Sequence, residues 1–500
     1  MKSWKFWVLV GLLITTGVGA AVVYALPCSK TLDRTPPQIQ GLAWTPTRIV
    51  NDIIYDIAVE FNASDDKSPI ASATLILKPV DYRDRFIGQY GMRPEDYYIV
   101  FPNDTRAIQL TPVDGEFDEK QEEFVAPIQN ITGGVEYRII AVVRDSAGNE
   151  RVVEIKTPYI RQYENIAPLD DKIVIADYYT WYSPTSWRGE SGPLHVYMPL
   201  LGEYDSADPI VIAKHIDWLT GIGKVDGVAV SWHGPTPTDR YPTATPNFED
   251  AFLENPLIKD IKFFILYENT DRLRIQNPND PPEEWIQNLD DPFNRNRLIS
   301  DFVYLTNYFS HPSYLKISGR VPVIFDYTAC FRGDIKGVFN ELRERVRENG
   351  YELYLLNDLA MRAYHPEEIV NDSHPHILQI IESMDAISYG MPECYLCYDP
   401  EEPYREWHDV AIKYGKDYVP YSMPGFEPSP NVLPDAQPVP RDPEIFRMLL
   451  DLSIKYTTCD MIGIKAFNEW YWGHQIEPSK KEGFIYLQIV RDVISNEDPQ

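Results

Sequence analysis

Two apolar runs and the stretch between them decide the fold: Ile173–Trp181 (IVIADYYTW), the dipeptide Asp208-Pro209, and Gly227–Trp232 (GVAVSW). Apolar residues at 212, 216 and 219 follow the dipeptide at helical spacing, and Asp-Pro is a frequent helix start. Each run is short enough for a buried strand. The pattern therefore predicts two parallel strands joined by a helix.

The same strand–helix order repeats along the rest of the chain. The apolar runs are Ile173–Trp181, Gly227–Trp232, Lys262–Tyr267, Val321–Tyr327, Tyr351–Leu356, Ala386–Tyr389, Tyr418–Met423 and Met461–Phe467. The predicted helix starts are Asp208, Asp291, Asp334, His365-Pro366, Pro400 and Asp442, with a last helix from Lys481. Eight such units over about 325 residues predict an α/β fold, a closed (β/α)8 TIM barrel over residues 170–497. Chemistry in such barrels lies in the loops after the carboxyl ends of the strands.

Residues 31–160 show a different pattern. Period-2 runs such as Ile53–Phe61 and Ala71–Lys78 alternate with Pro, Gly, Asp and Asn turns. The stretch Asp145–Asn149 (DSAGN) predicts a tight turn between two strands. This module resembles extracellular immunoglobulin-like and fibronectin-like modules, so we expect an all-β sandwich that serves as a spacer or contacts glycans.

The first 30 residues predict the compartment. Lys2 and Lys5 precede an uncharged run from Phe6 to Leu26, which as a helix would rise about 31 Å, one hydrocarbon core. Positive charge on the short N-terminal side keeps that end in the cytoplasm. We expect residues 1–30 to anchor the protein at the cell surface with the other domains outside; a cleaved signal is the alternative.

Composition narrows the function. The 500 residues carry 46 basic and 75 acidic side chains, a net charge of −29, so nucleic acid is excluded as an expected partner. Aromatic residues make up 13% of the chain, and aromatic rings stack on sugar faces as well as packing in cores.

The predicted strand ends carry carboxylates and aromatic rings. They include Asp177-Tyr178-Tyr179-Thr180-Trp181, Ser231-Trp232-His233, Tyr267-Glu268-Asn269, Asp326-Tyr327, Asn357-Asp358, Tyr389 and Phe467-Asn468-Glu469-Trp470. No Gly-rich phosphate cradle accompanies them. Aromatic walls with a few carboxylates suit a neutral, hydroxyl-rich ligand, which points to a carbohydrate.

Four segments of the chain carry a family resemblance. Asp177–Tyr182 resembles the Tyr-Tyr-x-Trp-Tyr opening of glycoside hydrolase family 99, the endo-α-mannosidase and endo-α-mannanase family. Leu201–Pro209 is similar to its Gly-x-Tyr-x-Ser-x-Asp-Pro segment, and Val230–Gly234 to its Val-Ser-Trp-Trp-Gly/Pro strand. Phe467–Pro478 is similar to its Phe-Asn-Glu-Trp-His-Glu-Gly-Thr-Gln-Ile-Glu signature. The resemblance covers about residues 170–495, and a similar barrel occurs in proteins of polysaccharide-synthesis clusters, so it does not fix the reaction.

The resemblance implies a retaining mechanism without a cofactor or metal. One Glu, here Glu469, takes the proton of the sugar's 2-hydroxyl, which attacks its own anomeric carbon. A second Glu, three residues on, protonates the leaving oxygen and then activates water. That position is Trp472, which carries no usable proton.

This departure leaves three interpretations. In the first, another group replaces the acid; the candidates are Glu268, Glu477 and His474, and Glu268 is favoured because its family counterpart is a ligand-contacting Glu. The barrel could bind glycans without cleaving them. It could also be a transferase or act on a substrate with a good leaving group.

The remaining candidates are expected to bind the glycan. Trp232 and Trp472 are predicted sugar platforms, and Tyr179, Trp181 and Tyr389 complete the pocket. His233 stands where the family usually has Trp, and Asn468 and His474 lie in the last loop. We expect an endo-acting glycoside hydrolase on α-mannoside-type or related glycans.

Overall fold

A computed structural model describes residues 33–165, 172–236, 240–281, 284–359, 365–389, 399–434 and 438–495. It has two units, a pair of antiparallel sheets followed by a closed barrel of parallel strands. The predicted anchor, residues 1–30, lies outside the described residues. Within the described ranges, no helix is long and apolar enough to cross a membrane.

The first unit contains two facing antiparallel sheets. Its strands are β1 (Gln38–Val50), β2 (Ile53–Ser64), β3 (Ile70–Pro79), β4 (Arg106–Leu110), β5 (Gln121–Ile128), β6 (Tyr137–Asp145) and β7 (Glu150–Lys156). One sheet has the order β1-β2-β5 and the other β4-β3-β6-β7. Burial alternates along β5 and β6, and the inward residues of both sheets join one core. This arrangement is that of an immunoglobulin-like sandwich.

The prediction that this module is entirely β was wrong for the segment after β3. Residues Asp84–Gln89 form a π-helical turn, and α1 spans Pro94–Val100. Helical spacing of aromatic residues explains the difference, because Phe86, Tyr90 and Phe101 are buried together.

The second unit is the predicted TIM barrel. Its strands are β8 (Ile173–Tyr178), β11 (Gly227–Trp232), β12 (Lys262–Tyr267), β14 (Val321–Phe325), β16 (Leu353–Asp358), β17 (Ala386–Tyr389), β18 (Asp417–Ser422) and β19 (Met461–Ile464). The strands pair in parallel in chain order, and β19 closes on β8. Short pairs in the loops are β9 (Arg188–Gly189) with β10 (Gly192–Pro193) and β13 (Gln287–Asn288) with β15 (Phe331–Arg332). The closed eight-stranded barrel confirms the predicted fold of this unit.

Helices follow the barrel strands; the longer ones cover the outside of the barrel, and the two shortest lie in the loops after β11 and β12. They are α2 (Pro209–Gly221), α3 (Ala244–Pro246), α4 (Asn269–Arg272), α5 (Pro292–Phe309), α6 (Ile335–Arg347), α7 (Pro375–Ser383), α8 (Glu401–Tyr414), α9 (Pro443–Tyr456) and α10 (Ile485–Ile494). Asp208, Asp291 and Asp442 cap α2, α5 and α9 as predicted. The prediction at His365-Pro366 was wrong, because only a 3-10 turn forms there and α7 starts at Pro375.

The capping residue of α2 also holds the sandwich. The Asp208 carboxylate accepts the backbone N–H of Ile210 at 2.9 Å, which is the helix cap. The same carboxylate pairs with Arg85 at 2.9 Å and accepts the hydroxyl of Tyr90 at 3.1 Å. Both partners belong to the helical segment after β3, so that segment joins the sandwich to the barrel.

A second buried charge lies at this junction. Asp217 of α2 is fully buried and accepts hydrogen bonds from the Tyr159 hydroxyl at 3.0 Å and the Gln162 backbone N–H at 2.8 Å. The buried guanidinium of Arg161 lies 3.6 Å from Asp217 and 2.9 Å from Asp260. The chain leaving the sandwich is therefore fixed to the barrel by charges that are paired out of water.

We predict that Asp217→Ala lowers the free energy of unfolding by about 3–5 kcal/mol, because Arg161 loses a partner and two donors lose their acceptor. Denaturant unfolding followed by tryptophan fluorescence measures this loss. The exposed Asp250 makes a matched control, and Asp250→Ala should stay within about 0.5 kcal/mol of the wild type. Equal stability of both variants would contradict the prediction.

Candidate active site

Buried acidic residues converge at the carboxyl ends of the barrel strands. Asp177 is the second-last residue of β8, and Asp358 is the last residue of β16. Glu268 directly follows β12, and Asp326 directly follows β14. Lys465 comes directly after β19 and donates to Asp358 at 2.7 Å. Parallel strands bring these ends to one face, so side chains far apart in sequence form a single cluster.

Lys465 holds this cluster together electrostatically. Asp358, Asp326 and Asp177 together raise the pKa of its ammonium group, against the opposing effect of burial. Burial raises the pKa of Asp177 to about 7 and that of Asp326 to about 6, and Lys465 limits both shifts. One cation therefore serves several carboxyls, and part of their charge is neutralised by protons at neutral pH.

Glu268 shares a proton with its neighbour. Burial raises its pKa well above the ordinary value, and the Asp326 charge raises it further. Asp326 is hydrogen-bonded to Glu268, and a hydrogen bond between two carboxyls requires a proton on one of them. Glu268 thus has the environment of an acid that stays protonated at neutral pH.

A hydrogen-bonded chain leads from Glu268 toward the protein surface. Ser231 Oγ lies 2.5 Å from Glu268 Oε1 and 3.0 Å from His233 Nε2. His233 Nδ1 lies 2.7 Å from Asp271 Oδ2, and Arg240 lies beside that carboxylate at 3.6 Å. Asp271 fixes the tautomer with the proton on Nδ1, because a carboxylate can only accept. Nε2 is then an acceptor, and burial keeps the imidazole neutral by lowering the pKa of His233.

Glu469 lies in the loop after β19. It is 1% exposed, and burial raises its pKa to about 8. The backbone N–H groups of Tyr471, at 3.0 Å, and Trp472 oppose that shift by donating to the carboxylate. Arg240 also favours the charged form. These donors orient the carboxyl and let it exchange a proton near neutral pH.

Aromatic rings surround both glutamates. Trp181 stacks on Tyr241 with ring centres 4.5 Å apart, and its ring lies 4.4 Å from Tyr179. Burial raises the pKa of the Tyr179 and Tyr241 hydroxyls, and the charges of Glu469 and Glu268 raise it further, so both carboxyls lie near this wall. The Trp181 indole N–H has no hydrogen-bond partner among the described residues. A buried free donor beside two carboxyls is suited to a hydroxyl-bearing ligand.

Three predicted site residues lie elsewhere. Trp232 points away from the barrel interior, because neighbours in a strand alternate between faces, and its indole N–H reaches the Tyr308 hydroxyl of α5 at 3.4 Å. Asn468 is fully buried and bonds both backbone groups of Tyr179 at 2.8 Å, which braces the loop. Glu477 accepts from the Tyr204 hydroxyl at 2.8 Å, Trp470 Nε1 at 2.7 Å and lies 3.2 Å from His215 Nε2. These contacts make all three supports of the site.

The other predicted residues lie near the last loop. Trp472 is half-buried and stacks on Phe426, with ring centres 5.9 Å apart and planes at 16°. His474 is buried, neither ring nitrogen has a partner among the described residues, and burial lowers its pKa well below the ordinary value. It is therefore a neutral ring and cannot serve as a cationic acid. The side chain of Tyr389 lies outside what the structure describes.

Sequence reasoning missed several residues of the site. Asp326, Asp358 and Asp177 were noted only as strand ends, and Asp271, Tyr241 and Lys465 were not singled out. Lys465 could have been recognised from the sequence, because it directly follows the apolar strand MIGI. A cation buried at such a position must be paired with an acidic group. Tyr241 lies in a loop and Asp271 in the four-residue α4, and neither segment is long enough for a period to mark its inward side.

Comparison with known proteins places this site in a family context. The family profile described as glycosyltransferase WbsX matches residues 258–490. The predicted family resemblance is confirmed. The matched stretch includes Glu268, Lys465 and Glu469 of the barrel. No curated protein matches the chain.

Solved structures share the barrel fold. A protein described as glycoside hydrolase-like superposes with a TM-score of 0.52 at 16% identity, over 66% of this chain and 95% of its own. A family 99 endo-α-mannosidase from Bacteroides thetaiotaomicron has a TM-score of 0.49 and 19% identity, over 66% of this chain and 98% of its own. The family profile and the acid-rich site together support a glycan-processing enzyme.

We predict that Lys465→Met destabilises the protein by about 3–5 kcal/mol, because it leaves buried carboxyls without their cation. The loss should grow with pH. Without Lys465 the folded-state pKa values of Asp177 and Asp326 rise further above those of the unfolded chain, so stability falls as pH increases through about 6 to 8. Thermal unfolding of both proteins at pH 5 and pH 8 measures the difference.

Lys259 is exposed and makes a matched control for this substitution. Lys259→Met should unfold as the wild type does at both pH values. A Lys465→Met variant whose deficit is the same at pH 5 and pH 8 would refute the electrostatic role assigned to Lys465.

Proposed function

We propose that the protein is a glycoside hydrolase, endo-acting on α-mannoside-type or related glycans, in which Glu469 is the base and Glu268 the acid. The observation that carries the proposal is that both glutamates are buried near the same aromatic wall and that burial raises the pKa of each. Most glycosidases use two carboxyl groups that exchange protons to cleave a glycosidic bond, and here the two lie beside rings that can stack on sugars.

The proposed reaction begins at the sugar's 2-hydroxyl. Ionised Glu469 takes the hydroxyl proton while that oxygen attacks the anomeric carbon and forms a 1,2-anhydro sugar. The bond to the leaving oxygen breaks, and protonated Glu268 gives that oxygen its proton. In the second step Glu268 takes a proton from water, and the water oxygen bonds to the anomeric carbon. The bond from that carbon to the 2-oxygen breaks, and Glu469 returns its proton to the 2-oxygen. Configuration is retained and both glutamates regain their starting states.

Glu268 takes this role because Trp472 cannot. The indole of Trp472 has no exchangeable proton at a useful pKa, and it stacks on Phe426 as a flat, half-buried ring. In the proposal that ring is a platform for the sugar beside the cleaved bond, and His233 and Trp181 line the wall on the other side.

Two other functions are favoured by specific observations. The description of the matching family as a glycosyltransferase favours transfer to an acceptor sugar instead of water. Trp472 in the place of the usual acid favours a barrel that binds glycans without cleaving them. We further propose that residues 1–30 hold the protein at the cell surface, supported by Lys2 and Lys5 before an uncharged run.

The first test is a glycan-library incubation of the wild type beside Glu469→Gln, with detection of new reducing ends. The variant should lose about 10²–10⁴-fold in rate, the usual contribution of an acid–base group. The exposed Glu190 gives a matched control, and Glu190→Gln should cleave like the wild type. Glycan binding without cleavage by any of them would favour the binding protein, and products formed only with an added acceptor would favour the transferase.

The pH dependence of kcat/KM tests the assignment of the base. Burial raises the pKa of Glu469 to about 8, so below that pH the group holds a proton and cannot accept another. The rate should therefore rise with pH and level off above about 8, until Glu268 begins to lose its proton. A rate that is constant from pH 6 to 9 would contradict the assignment.

His233→Phe tests the hydrogen-bonded chain to Glu268. The Ser231 hydroxyl has one proton, and both Glu268 Oε1 and His233 Nε2 can accept it. With Nε2 gone, the hydroxyl donates only to Glu268, which favours its ionised form. We expect kcat to fall about 10-fold, KM to change little, and the high-pH limb of the profile to move to lower pH. His233→Gln, which restores an acceptor, should recover part of both effects; a variant that changes KM alone would refute the role.

A further inference from the structure

Three aspartates meet at one end of the sandwich, far from the barrel site. Asp33 precedes β1, Asp65 follows β2, and Asp145 is the last residue of β6. One carboxylate oxygen from each lies within 4.8 Å of the other two. The cluster joins the two sheets, because β2 belongs to one and β6 to the other.

One of these oxygens is buried without a partner. Asp65 is 8% exposed, and its Oδ2 has no hydrogen-bond partner among the described residues. Its Oδ1 accepts the backbone N–H groups of Lys67 at 2.8 Å and Ser68 at 2.7 Å, so the side chain is held in place with Oδ2 unused. An anionic oxygen that is buried and unpaired is costly, and native proteins seldom leave one without a cation, a donor or water.

The other two carboxylates are also held in fixed positions. Asp145 Oδ1 accepts the backbone N–H groups of Ala147 and Asn149 at 2.8 Å. Asp33 Oδ2 accepts the Ser68 hydroxyl at 2.7 Å. These donors come from the turns that follow β2 and β6, so the turns themselves aim the three carboxylates at one point.

The nearby cation does not balance this charge. Lys67 Nζ lies 3.8 Å from Asp33 Oδ1, and the lysine side chain is 47% exposed. A solvated ammonium group at that distance offsets little of the repulsion among three carboxylates. The arrangement therefore lacks a positive charge at its centre.

We propose that these three aspartates bind a divalent cation of the hard, oxygen-preferring kind, and that the ion is Ca²⁺. Ca²⁺ takes carboxylate oxygens at about 2.3–2.6 Å, so ligands on opposite sides of the ion stand about 5 Å apart, which the spacing of this cluster allows. The donor atoms are all oxygens, which disfavours zinc. A groove lined by Thr35, Pro36, Gln38, Ser64 and Asp65 gives the ion a route from solvent.

The bound ion would fix the start of the sandwich. The Asp33–Pro37 segment has no regular secondary structure, and it is tied to the module by few contacts, including Arg151 Nε to the Pro37 carbonyl at 3.1 Å. With Asp33 as a ligand, Ca²⁺ joins this segment to both sheets at once. The site is independent of the function proposed for the barrel.

Calorimetric titration of the calcium-free, full-length protein with CaCl₂ tests the proposal. We expect one Ca²⁺ per chain with saturable binding, and an unfolding temperature that is higher in CaCl₂ than in EGTA. Asp65→Asn keeps the oxygen that accepts from Lys67 and Ser68 and replaces Oδ2, so it should weaken Ca²⁺ binding at least 10-fold. In EGTA this variant should unfold at or above the wild-type temperature. The substitution removes the repulsion of the Asp65 charge from the other two carboxylates and keeps the hydrogen bonds from Lys67 and Ser68 that form the turn.

Asp52→Asn is the matched control, since Asp52 is exposed, lies in the turn between β1 and β2 and is outside the cluster; it should bind Ca²⁺ like the wild type. Two results would overturn the proposal. One is no Ca²⁺ binding by the wild type, which would assign the cluster to a proton shared between Asp33 and Asp65. The other is binding that survives in both Asp65→Asn and Asp145→Asn, which would place the ion elsewhere.

Discussion

The barrel site depends on the pairing of Lys465 with the acidic strand ends. Parallel strands force Asp177, Asp326 and Asp358 to share one buried face, where carboxylates repel and are poorly solvated. A single ammonium group cannot neutralise all of them, so protons make up the remainder. Protonated carboxyls at neutral pH are thus a consequence of the fold's geometry. The pKa of Glu268 is raised by burial and by the neighbouring carboxylate of Asp326, whose charge the single ammonium group does not fully neutralise.

Because side chains alternate between the two faces of a strand, neighbouring residues contact different parts of the barrel. In the segment that ends β11, Ser231 and His233 reach Glu268 and Asp271, whereas Trp232 between them packs against α5. The same sequence motif therefore supplies both a hydrogen-bonded chain to the site and an anchor for the helix layer. A motif matched by residue type alone does not distinguish these two directions.

Much of the fold could be predicted from the sequence, because each strand of the barrel is a short apolar run and the helix starts at Asp208, Asp291 and Asp442 carry Asp-Pro. The helical segment after β3 was missed because it gives only a short 3.6-residue pattern between longer period-2 runs. The site was harder. Glu268 directly follows an apolar run and was favoured as the acid, but the sequence does not show that Glu477, another candidate, is held by Tyr204 and Trp470.

The loops explain the remaining gaps in prediction. Whether Trp181 and Tyr241 stack on each other depends on how two separate loops fold over the barrel, and neither loop has a periodic pattern. Burial is likewise invisible in a sequence, so the raised pKa of Glu469 follows only from three-dimensional packing.

The attachment of the sandwich to α2 has a mechanical consequence. Asp208 caps α2 and also bonds Arg85 and Tyr90 of the sandwich unit. Further along the same helix, Asp217 accepts a hydrogen bond from the chain that follows β7. Rotation of one unit against the other would have to break the bonds of Asp208 to Arg85 and Tyr90 and expose the paired charges of Asp217 and Arg161. These contacts therefore resist a change in the tilt of the barrel mouth relative to the sandwich.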